Sequence, residues 1–451
     1  MKKQSGIHFY INIVNFNKII QTEEFKTNAV THSIHALDTF FSSIESFGKK
    51  KYPKSFVVEK ITGSRLHLYV TDVIGPAYDV VRTVSAFAFS LARVINHDIE
   101  KYKSLLDFQI QIGADFGVFY DFEFKLSEKE SEITTIGYPA NYAAKLQGLA
   151  GSSHIAISSK IYSSLSSELQ KGFERVDSQA VEKYGQKCFY QLPLMQLKPA
   201  SDIDRTDMDF AKDHANSINL SDIDFSEARV PINFRNISTT QCKRVYGIPV
   251  FSDIRDFTKQ FAPDGSNLEE MAQKTQSILG TMYDITRQYD GIHIQFQGDR
   301  ELSLYHNLPE RTINGVFQPE KKCFRFAVLA SMRMIDRVKP FIVHIGVGED
   351  FGRLFATRIG AHGEKDNILL GDTVIQADIM EDKYAGEDQL AITREVYDGL
   401  KGEDSFLASQ FKLSGEHYVA TIGYQEYLRK RQSQQQHNNT ASNNYNPAWR
   451  N

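Results

Sequence analysis

The sequence contains the same pattern twice, and this internal repeat limits the folds that the chain can adopt. AISSKIYSSL (156–165) recurs about 235 residues later as AITREVYDGL (391–400), with matching small, aliphatic, Tyr and Leu positions. Two copies of one domain, residues 1–198 and 242–428, account for this repeat and for four further pairs of matching segments. The further pairs are HFYINIVNFN (8–17) with VFSDIRDFT (250–258), KITGSRL (60–66) with QFQGDRE (295–301), IGADFG (112–117) with IGVGEDFG (345–352), and GYPANYAAKLQ (137–147) with GDTVIQADIME (371–381).

Each copy is predicted to alternate strands with helices. Runs such as FVVEKI, RLHLYV, FQIQIG and HIAIS have the β-branched, period-two character of strands, and VTHSIHALDTFFSSIESF has the spacing of an amphipathic helix. The fold class is therefore α/β, an α+β sandwich in which helices flank a mixed or antiparallel sheet. Residues 199–241 are polar and acidic and are predicted to form a linker. Residues 429–451 are too polar to pack and are predicted to be disordered.

Composition excludes several classes of protein. The formal net charge is −4, so no strong overall field favours nucleic acid or a membrane surface. The three cysteines have no CxxC spacing, which argues against a disulfide framework or a zinc site and fits a reducing compartment. The run VVRTVSAFAFSLARVI (80–95) is interrupted by Arg82 and Arg93 and is predicted to be a core helix rather than a membrane span. We expect a cytoplasmic protein.

Two aspartates of the second copy stand where strands end. A single serine separates Asp253 from the apolar run PVF that precedes it. Asp299 lies in QGDRE, a tight turn after another short strand. Carboxylates at adjacent strand ends repel each other unless a divalent cation lies between them, and Mg²⁺ or Mn²⁺ prefers such oxygen ligands. The alternative is that Asp253 caps the following helix and Asp299 is only a turn residue, because Asp is favoured at both positions.

These motifs resemble those of the class III nucleotidyl cyclases, the adenylate and guanylate cyclase family. FSDIRDFT followed by QGDRE is similar to the metal-binding pair of the family, and GYPANYAAKL followed by HIAIS is similar to its asparagine-containing and arginine-containing signature. The resemblance covers both copies, which is nearly the whole chain apart from the linker and the tail. It implies two domains paired head to tail, with the active site at their interface and two Mg²⁺ or Mn²⁺ ions bound there.

The two copies have lost complementary parts of the family pattern. The first copy lacks both aspartates but keeps the asparagine and a basic residue, whereas the second keeps both aspartates and has isoleucines at the other two positions. One chain can therefore assemble one complete site and not two. The residues concerned are Asn12, Ser64, Asn141 and Lys145 in the first copy and Asp253, Asp299, Ile375 and Ile379 in the second.

The resemblance also implies a reaction and a role for each residue. The 3′-hydroxyl of a nucleoside triphosphate would attack its own α-phosphorus and expel pyrophosphate. Asp253 and Asp299 would bridge the two ions, with the Ile254 carbonyl as a further ligand. Asn141 would orient the ribose, and Lys145 would offset the charge that grows on the α-phosphate oxygens.

Lys145 departs from the family, which has arginine at this position. A lysine keeps the positive charge but cannot donate the two parallel hydrogen bonds that a guanidinium donates to phosphate. Arg255 and Arg300, beside the metal motifs, are candidates to supply those bonds. The segment EKYGQKCFYQL (182–192) is similar to the family strand that carries a triphosphate-binding lysine, and either Lys183 or Lys187 fits that role. Surface positions are the competing interpretation for all four residues.

Two positions of the first copy match those that read the base in purine-selective members of the family. They are Lys60, at the start of KITG, and Thr134, seven residues before Asn141. This pair argues against guanine and leaves adenine open, and a lysine beside a pyrimidine carbonyl is equally sensible hydrogen-bond chemistry.

The spare architecture, two cyclase-like domains and a tail, resembles the pyrimidine cyclases of bacterial Pycsar-type antiphage defence. That resemblance implies a substrate of CTP or UTP and a product, cyclic CMP or cyclic UMP, that activates a separate effector protein. A soluble adenylate cyclase that uses ATP is the alternative, and an inactive nucleotide-binding sensor or scaffold is an alternative of another class. We expect no nucleic acid or membrane partner, and either a monomer with intramolecular domain pairing or a dimer.

Overall fold

The three-dimensional structure is a computed structural model. It describes residues 2–75, 77–103, 105–127, 130–197, 205–217, 219–220, 223–238, 241–260, 267–313, 316–318, 320–360, 365–420 and 422–443.

Two sheets of matching topology confirm the internal repeat. The first has the strand order β2-β3-β1-β4-β6-β8-β7, and the second has the corresponding order β11-β12-β10-β15-β18-β20-β19. Each sheet is mixed, because β4 pairs with β6 and β15 pairs with β18 in parallel while the other neighbours along these two paths are antiparallel. The predicted α+β sandwich of two tandem domains is therefore correct.

The first domain buries its helices against one sheet. Helices α2 and α3 bury an apolar face in this core, including Phe40, Phe41 and Phe87. The strands are β1 (Lys2–Ile13), β2 (Phe56–Thr62), β3 (Arg65–Thr71), β4 (Ile110–Ser127), β5 (Glu130–Ile136), β6 (His154–Ile157), β7 (Glu174–Asp177) and β8 (Cys188–Pro193). The helices are α1 (Phe16–Thr27), α2 (Thr31–Lys51), α3 (Tyr78–His97), α4 (Tyr138–Leu149), α5 (Ser159–Ser163) and α6 (Ser167–Gln170).

The second domain repeats this plan, with α8 and α9 in the place of α2 and α3. Its strands are β10 (Gln241–Ile254), β11 (Ile292–Gln297), β12 (Arg300–His306), β13 (Arg311–Ile313), β14 (Val316–Gln318), β15 (Ile345–Glu349), β16 (Gly352–Ile359), β17 (Asp366–Leu370), β18 (Gln389–Ile392), β19 (Phe411–Ser414) and β20 (His417–Ala420). Its helices are α8 (Leu268–Gln288), α9 (Phe324–Val338), α10 (Asp372–Ile379), α11 (Arg394–Glu403), α12 (Ser405–Ala408) and α13 (Tyr424–Asn443).

The segments predicted as linker and tail contain more regular structure than expected. Between the domains, α7 (Arg205–Ser217) packs on α2, where Lys50 pairs with Asp207 at 2.6 Å, and β9 (Asp224–Glu227) joins β10 in parallel. Residues 429–443, predicted to be disordered, continue helix α13, and Arg431 lies 2.9 Å from the Asp404 carboxylate. The remainder of the predicted disordered tail, residues 444–451, lies outside the described residues.

The two domains pair head to tail through reciprocal contacts. The backbone N–H of Ile61 in the first domain donates to the Asp366 carboxylate of the second at 2.6 Å. At the equivalent place, the N–H of Phe296 in the second domain donates to the Glu132 carboxylate of the first at 2.7 Å. The hairpin that contains β2 in the first domain contacts the second domain, and the hairpin that contains β11 in the second domain contacts the first. The two domains therefore share two related interfaces.

No helix of the described residues has both the length and the apolar character that a bilayer span needs.

Candidate active site

A cavity of about 490 Å³ lies at one of the two interfaces and is lined by both domains. Nine of the eleven residues singled out from the sequence line it, whereas Thr134 and Lys187 do not. The nine are Lys60, Asn141, Lys145 and Lys183 from the first domain and Asp253, Ile254, Arg255, Asp299 and Arg300 from the second.

The two aspartates meet because their strands are neighbours. Asp253 is opposite Arg300 in the antiparallel register of β10 with β12, and Asp299 lies in the turn that precedes β12, where Gly298 has φ +70. Burial, followed by the nearby charge of Asp299, raises the pKa of Asp253 to about 8. Burial also raises the pKa of Asp299 to about 7. Each of these carboxylates resists ionisation beside the other. A divalent cation between them would favour the ionised form of both, so the pair is suited to bind one.

Both predicted substrate arginines of the second domain are held by carboxylates of their own domain. Arg255 lies 2.5 Å from the Glu381 carboxylate and donates to the Glu381 and Ala385 carbonyls, at 2.5 and 2.7 Å. Arg300 pairs with Asp378 and, at 2.6 Å, with Glu381. These contacts oppose the expectation that Arg255 or Arg300 replaces the family arginine, since both guanidinium groups already have anionic partners.

Glu381 was not singled out from the sequence, although it organises this side of the site. It belongs to a π-helical turn, Met380–Tyr384, that follows α10, and its side chain is 2% exposed. A side chain at Gly348 would lie only 2.1 Å from the Glu381 backbone nitrogen, so the turn can reach β15 only because residue 348 is glycine. The sequence contains one indication of this contact, which is the glycine at position 348. Glycine within a strand can mark the close approach of another backbone segment.

Helix α4 of the first domain carries Asn141 and Lys145 on one face, since residues four apart are neighbours on a helix. The amide oxygen of Asn141 lies 3.9 Å from the position that a side chain at Gly298 would occupy, which places it at the hairpin of Asp299. The structure therefore brings the predicted asparagine and lysine to the same cavity as the two aspartates of the other domain.

The opposite interface lacks this combination. A smaller cavity of about 270 Å³ is lined there by Asn12, Ser64 and Ile375, and the Ser64 hydroxyl donates to Asn12 at 3.0 Å. Among the described residues that line it, the carboxylate is that of Asp378, which is paired with Arg300. Neutral groups of this kind are poor ligands for a divalent cation.

One protein family matches the first domain. Residues 2–193 match the family model described as the adenylate and guanylate cyclase catalytic domain. The first domain is therefore similar to the catalytic domain of the adenylate and guanylate cyclases. No curated protein matches the chain.

One solved structure shows that the chain has a class III cyclase-like fold. A structure described as a class III adenylyl cyclase-like ATP-binding protein from Pseudomonas aeruginosa aligns with a TM-score of 0.65 and 15% identity, covering 95% of this chain and 90% of that one. The adenylyl cyclase CyaB from P. aeruginosa matches at 20% identity over 40% of this chain and 96% of that one, with a TM-score of 0.33. The guanylate cyclase domain of RhGC from Catenaria anguillulae matches at 20% identity over 40% and 99%, with a TM-score of 0.32.

The positions that read the base in purine-selective class III cyclases are used differently in this structure. Lys60 donates to the Glu132 carboxylate and, at 2.5 Å, to the Phe296 carbonyl of the second domain, and its side chain is 3% exposed. Thr134 is fully buried beside Glu59. Both side chains are therefore bonded within the protein, while Lys60 also lines the main cavity, and the contact of this pair with the base stays a prediction.

Lys60 belongs to a buried charge network that joins the two domains. His293 of the second domain lies 3.0 Å from both the Glu132 and the Glu301 carboxylates through its two ring nitrogens. Burial alone would lower the pKa of His293, but the hydrogen bonds to both carboxylates outweigh it and raise this pKa to about 9.

Replacing His293 should destabilise the protein in a pH-dependent manner. Because the folded pKa is raised above the unfolded value, the charge of His293 contributes stability fully below about pH 6.5, and this contribution is lost as pH rises through about 9. His293→Gln should lower the free energy of unfolding by about 3 kcal/mol at pH 6, since it removes the buried cation that contacts both carboxylates, and by less at pH 10. Denaturant unfolding at both pH values measures this, with the exposed His344→Gln as the control. An equal cost at pH 6 and pH 10 would contradict the charged assignment.

The structure separates the two candidate triphosphate lysines. Lys183 lines the cavity, and its positive charge acts on Asp299, whereas Lys187 is exposed elsewhere. Lys183→Gln is expected to raise the KM for a nucleoside triphosphate about tenfold, because one charge-assisted hydrogen bond is lost, and Lys187→Gln is expected to leave it unchanged. Steady-state kinetics of the matched pair checks this, and equal effects would argue against a specific contact by Lys183.

Proposed function

We propose that this protein is a nucleotidyl cyclase that converts a nucleoside triphosphate into a 3′,5′-cyclic monophosphate and pyrophosphate at one site between its two domains. The observation that carries the proposal is the convergence of Asp253 and Asp299 from one domain with Asn141 and Lys145 from the other on one cavity. This set supplies oxygen ligands for cations, a polar group for a sugar and a cation for a phosphate.

The residues have distinct tasks in the proposed reaction. The 3′-oxygen forms a bond to the α-phosphorus, the bond from that phosphorus to the bridging oxygen of pyrophosphate breaks, and the hydroxyl proton passes to solvent. Asp253 and Asp299, with the Ile254 carbonyl, would hold two Mg²⁺ or Mn²⁺ ions. When bound, such ions lower the pKa of the hydroxyl and offset the charge of the triphosphate.

The first domain positions the substrate in this proposal. The Asn141 amide orients the ribose so that the 3′-oxygen is in line with the bond that breaks. The Lys145 ammonium stabilises negative charge on the α-phosphate oxygens, and Lys183 holds the remaining phosphates.

We further propose that the base is a pyrimidine, with CTP or UTP as substrate and cyclic CMP or cyclic UMP as product. The resemblance of the tandem cyclase-like domains to the pyrimidine cyclases of Pycsar-type defence supports this choice over ATP. The contact of Lys60 with Glu132 does not separate the two bases, because a lysine suits either one. The role we propose for the product is that of a second messenger for a separate effector in bacterial antiphage defence.

Incubation of the purified protein with ATP, GTP, CTP and UTP, each with Mn²⁺, and separation of the products by mass tests both proposals. A cyclic pyrimidine monophosphate supports both. Cyclic AMP would support the cyclase and overturn the pyrimidine assignment. No cyclic product from any nucleotide would favour a protein that binds nucleotides without cyclising them.

A further inference from the structure

We propose that Arg65 contacts the α-phosphate of the substrate beside Lys145 and supplies the guanidinium that the class III pattern has lost at position 145. This inference rests on the proposed cyclase function. It concerns a residue that the family motifs do not include.

Arg65 and Arg300 occupy the same place in the two domains. In the first domain, Arg65 on β3 is opposite Asn12 on β1. In the second domain, Arg300 on β12 is opposite Asp253 on β10, and the two pairs follow the same hairpin. The repeat therefore provides an internal comparison for what this arginine does.

The two arginines differ in their partners. Arg300 is held by the carboxylates of Asp378 and Glu381, as described above. The repeat aligns those two residues with Ala144 and Gln147, neither of which is anionic. Within the described part of the chain, no ion pair or hydrogen bond joins the Arg65 guanidinium to another side chain, and the residue is partly exposed.

The direction of the Arg65 side chain follows from the same comparison. The Arg300 guanidinium lies 4.4 Å from the centre of the Phe251 ring, on its way to α10. Tyr10 is the counterpart of Phe251, and the charge of Arg65 acts on the Tyr10 hydroxyl. Arg65 lies between the two cavities: it lines the main one with Tyr10 and with Ala144 of α4, and it also borders the smaller one. Arg65 and Lys145 thus face one cavity.

A guanidinium here completes the chemistry of the site. Lys145 acts as a point charge, whereas an arginine can donate two parallel hydrogen bonds to phosphate oxygens. Arg255 and Arg300 cannot easily fill this role, because Glu381 holds both. Arg65 is the arginine lining the cavity that has no such partner among the described residues.

The test measures binding and turnover in Arg65→Gln and Arg65→Lys. The probes are pyrophosphate and the 3′-deoxy form of the nucleotide that the wild type cyclises, or 3′-deoxy-CTP if it cyclises none. Arg394→Gln, at a 75% exposed arginine, is the matched control. Arg65→Gln should weaken binding of the 3′-deoxy nucleotide about tenfold and lower kcat by ~10²-fold, with pyrophosphate binding unchanged and Arg65→Lys intermediate.

Two results would overturn the proposal. One is wild-type affinity and kcat in Arg65→Gln. The other is an equal loss of pyrophosphate affinity, which would indicate a general field rather than a contact with the α-phosphate. If the wild type makes no cyclic product, the cyclase function fails, and the affinities for 3′-deoxy-CTP and pyrophosphate still decide the role of Arg65. The melting temperature shows whether each variant is folded, and Arg65→Lys replaces Arg65→Gln in the comparison if the latter is not.

Discussion

Asp253→Ala is expected to abolish the formation of cyclic nucleotide, with a loss of more than about 10²-fold. Changes to residues that only support metal ligands already cost 10- to 100-fold, and Asp253 is proposed to bind the ions directly. The variant should also lose stabilisation by Mn²⁺, because an ion that binds the folded state raises the melting temperature only while its ligands are present. Product assays and thermal unfolding with and without Mn²⁺ measure the two effects separately.

Asn12→Ala is the matched control for this change, because Asn12 holds the equivalent strand position in the first domain and lines only the smaller cavity. It should keep both turnover and the Mn²⁺-dependent rise in melting temperature. A wild-type protein whose melting temperature does not respond to Mn²⁺, or an Asp253→Ala variant that still responds fully, would argue that the aspartates are turn and cap residues.

Lys145→Met is expected to lower kcat by ~10²–10³-fold and to change the KM much less. The ammonium group is proposed to act on charge that develops in the transition state, and removal of one such donor typically has this effect. Lys145→Arg should retain the wild-type kcat or exceed it, since it restores the guanidinium that the family has at this position. Steady-state kinetics with the nucleotide that the wild type cyclises measures both variants.

The repeat again supplies the control. Ile379→Met changes the equivalent residue of the second domain for one of similar volume, and this residue does not line the main cavity. Its kcat should match the wild type. A loss in Ile379→Met as large as that in Lys145→Met would show that the effect arises from packing of the helices and not from the lost charge.

The sequence predicted the parts of the site that depend on local order. Strand ends that are adjacent in a sheet meet at one edge, so Asp253 and Asp299 could be paired from their spacing. Asn141 and Lys145 share a helix face for a similarly local reason, and the loss of complementary residues in the two copies indicated that one site is shared between the domains.

The parts that the sequence did not predict depend on partners distant along the chain. Lys60 donates to Glu132 and to the Phe296 carbonyl of the other domain, and Arg255 pairs with Glu381. Side chains that reach across an interface leave no periodic signal in the sequence. The lack of acidic residues at Ala144 and Gln147 was visible in the repeat, but it had meaning only after the structure showed which carboxylates hold Arg300.

The number of nucleotides bound per chain tests the central claim, one site built from both domains, most directly. Titration of the wild type with a 3′-deoxy nucleoside triphosphate in Mn²⁺ should give one equivalent per chain. Lys145→Met in the first domain and Asp253→Ala in the second should each weaken that same event. Two equivalents per chain, or one equivalent whose affinity is unaffected by a change in either domain, would contradict a shared site.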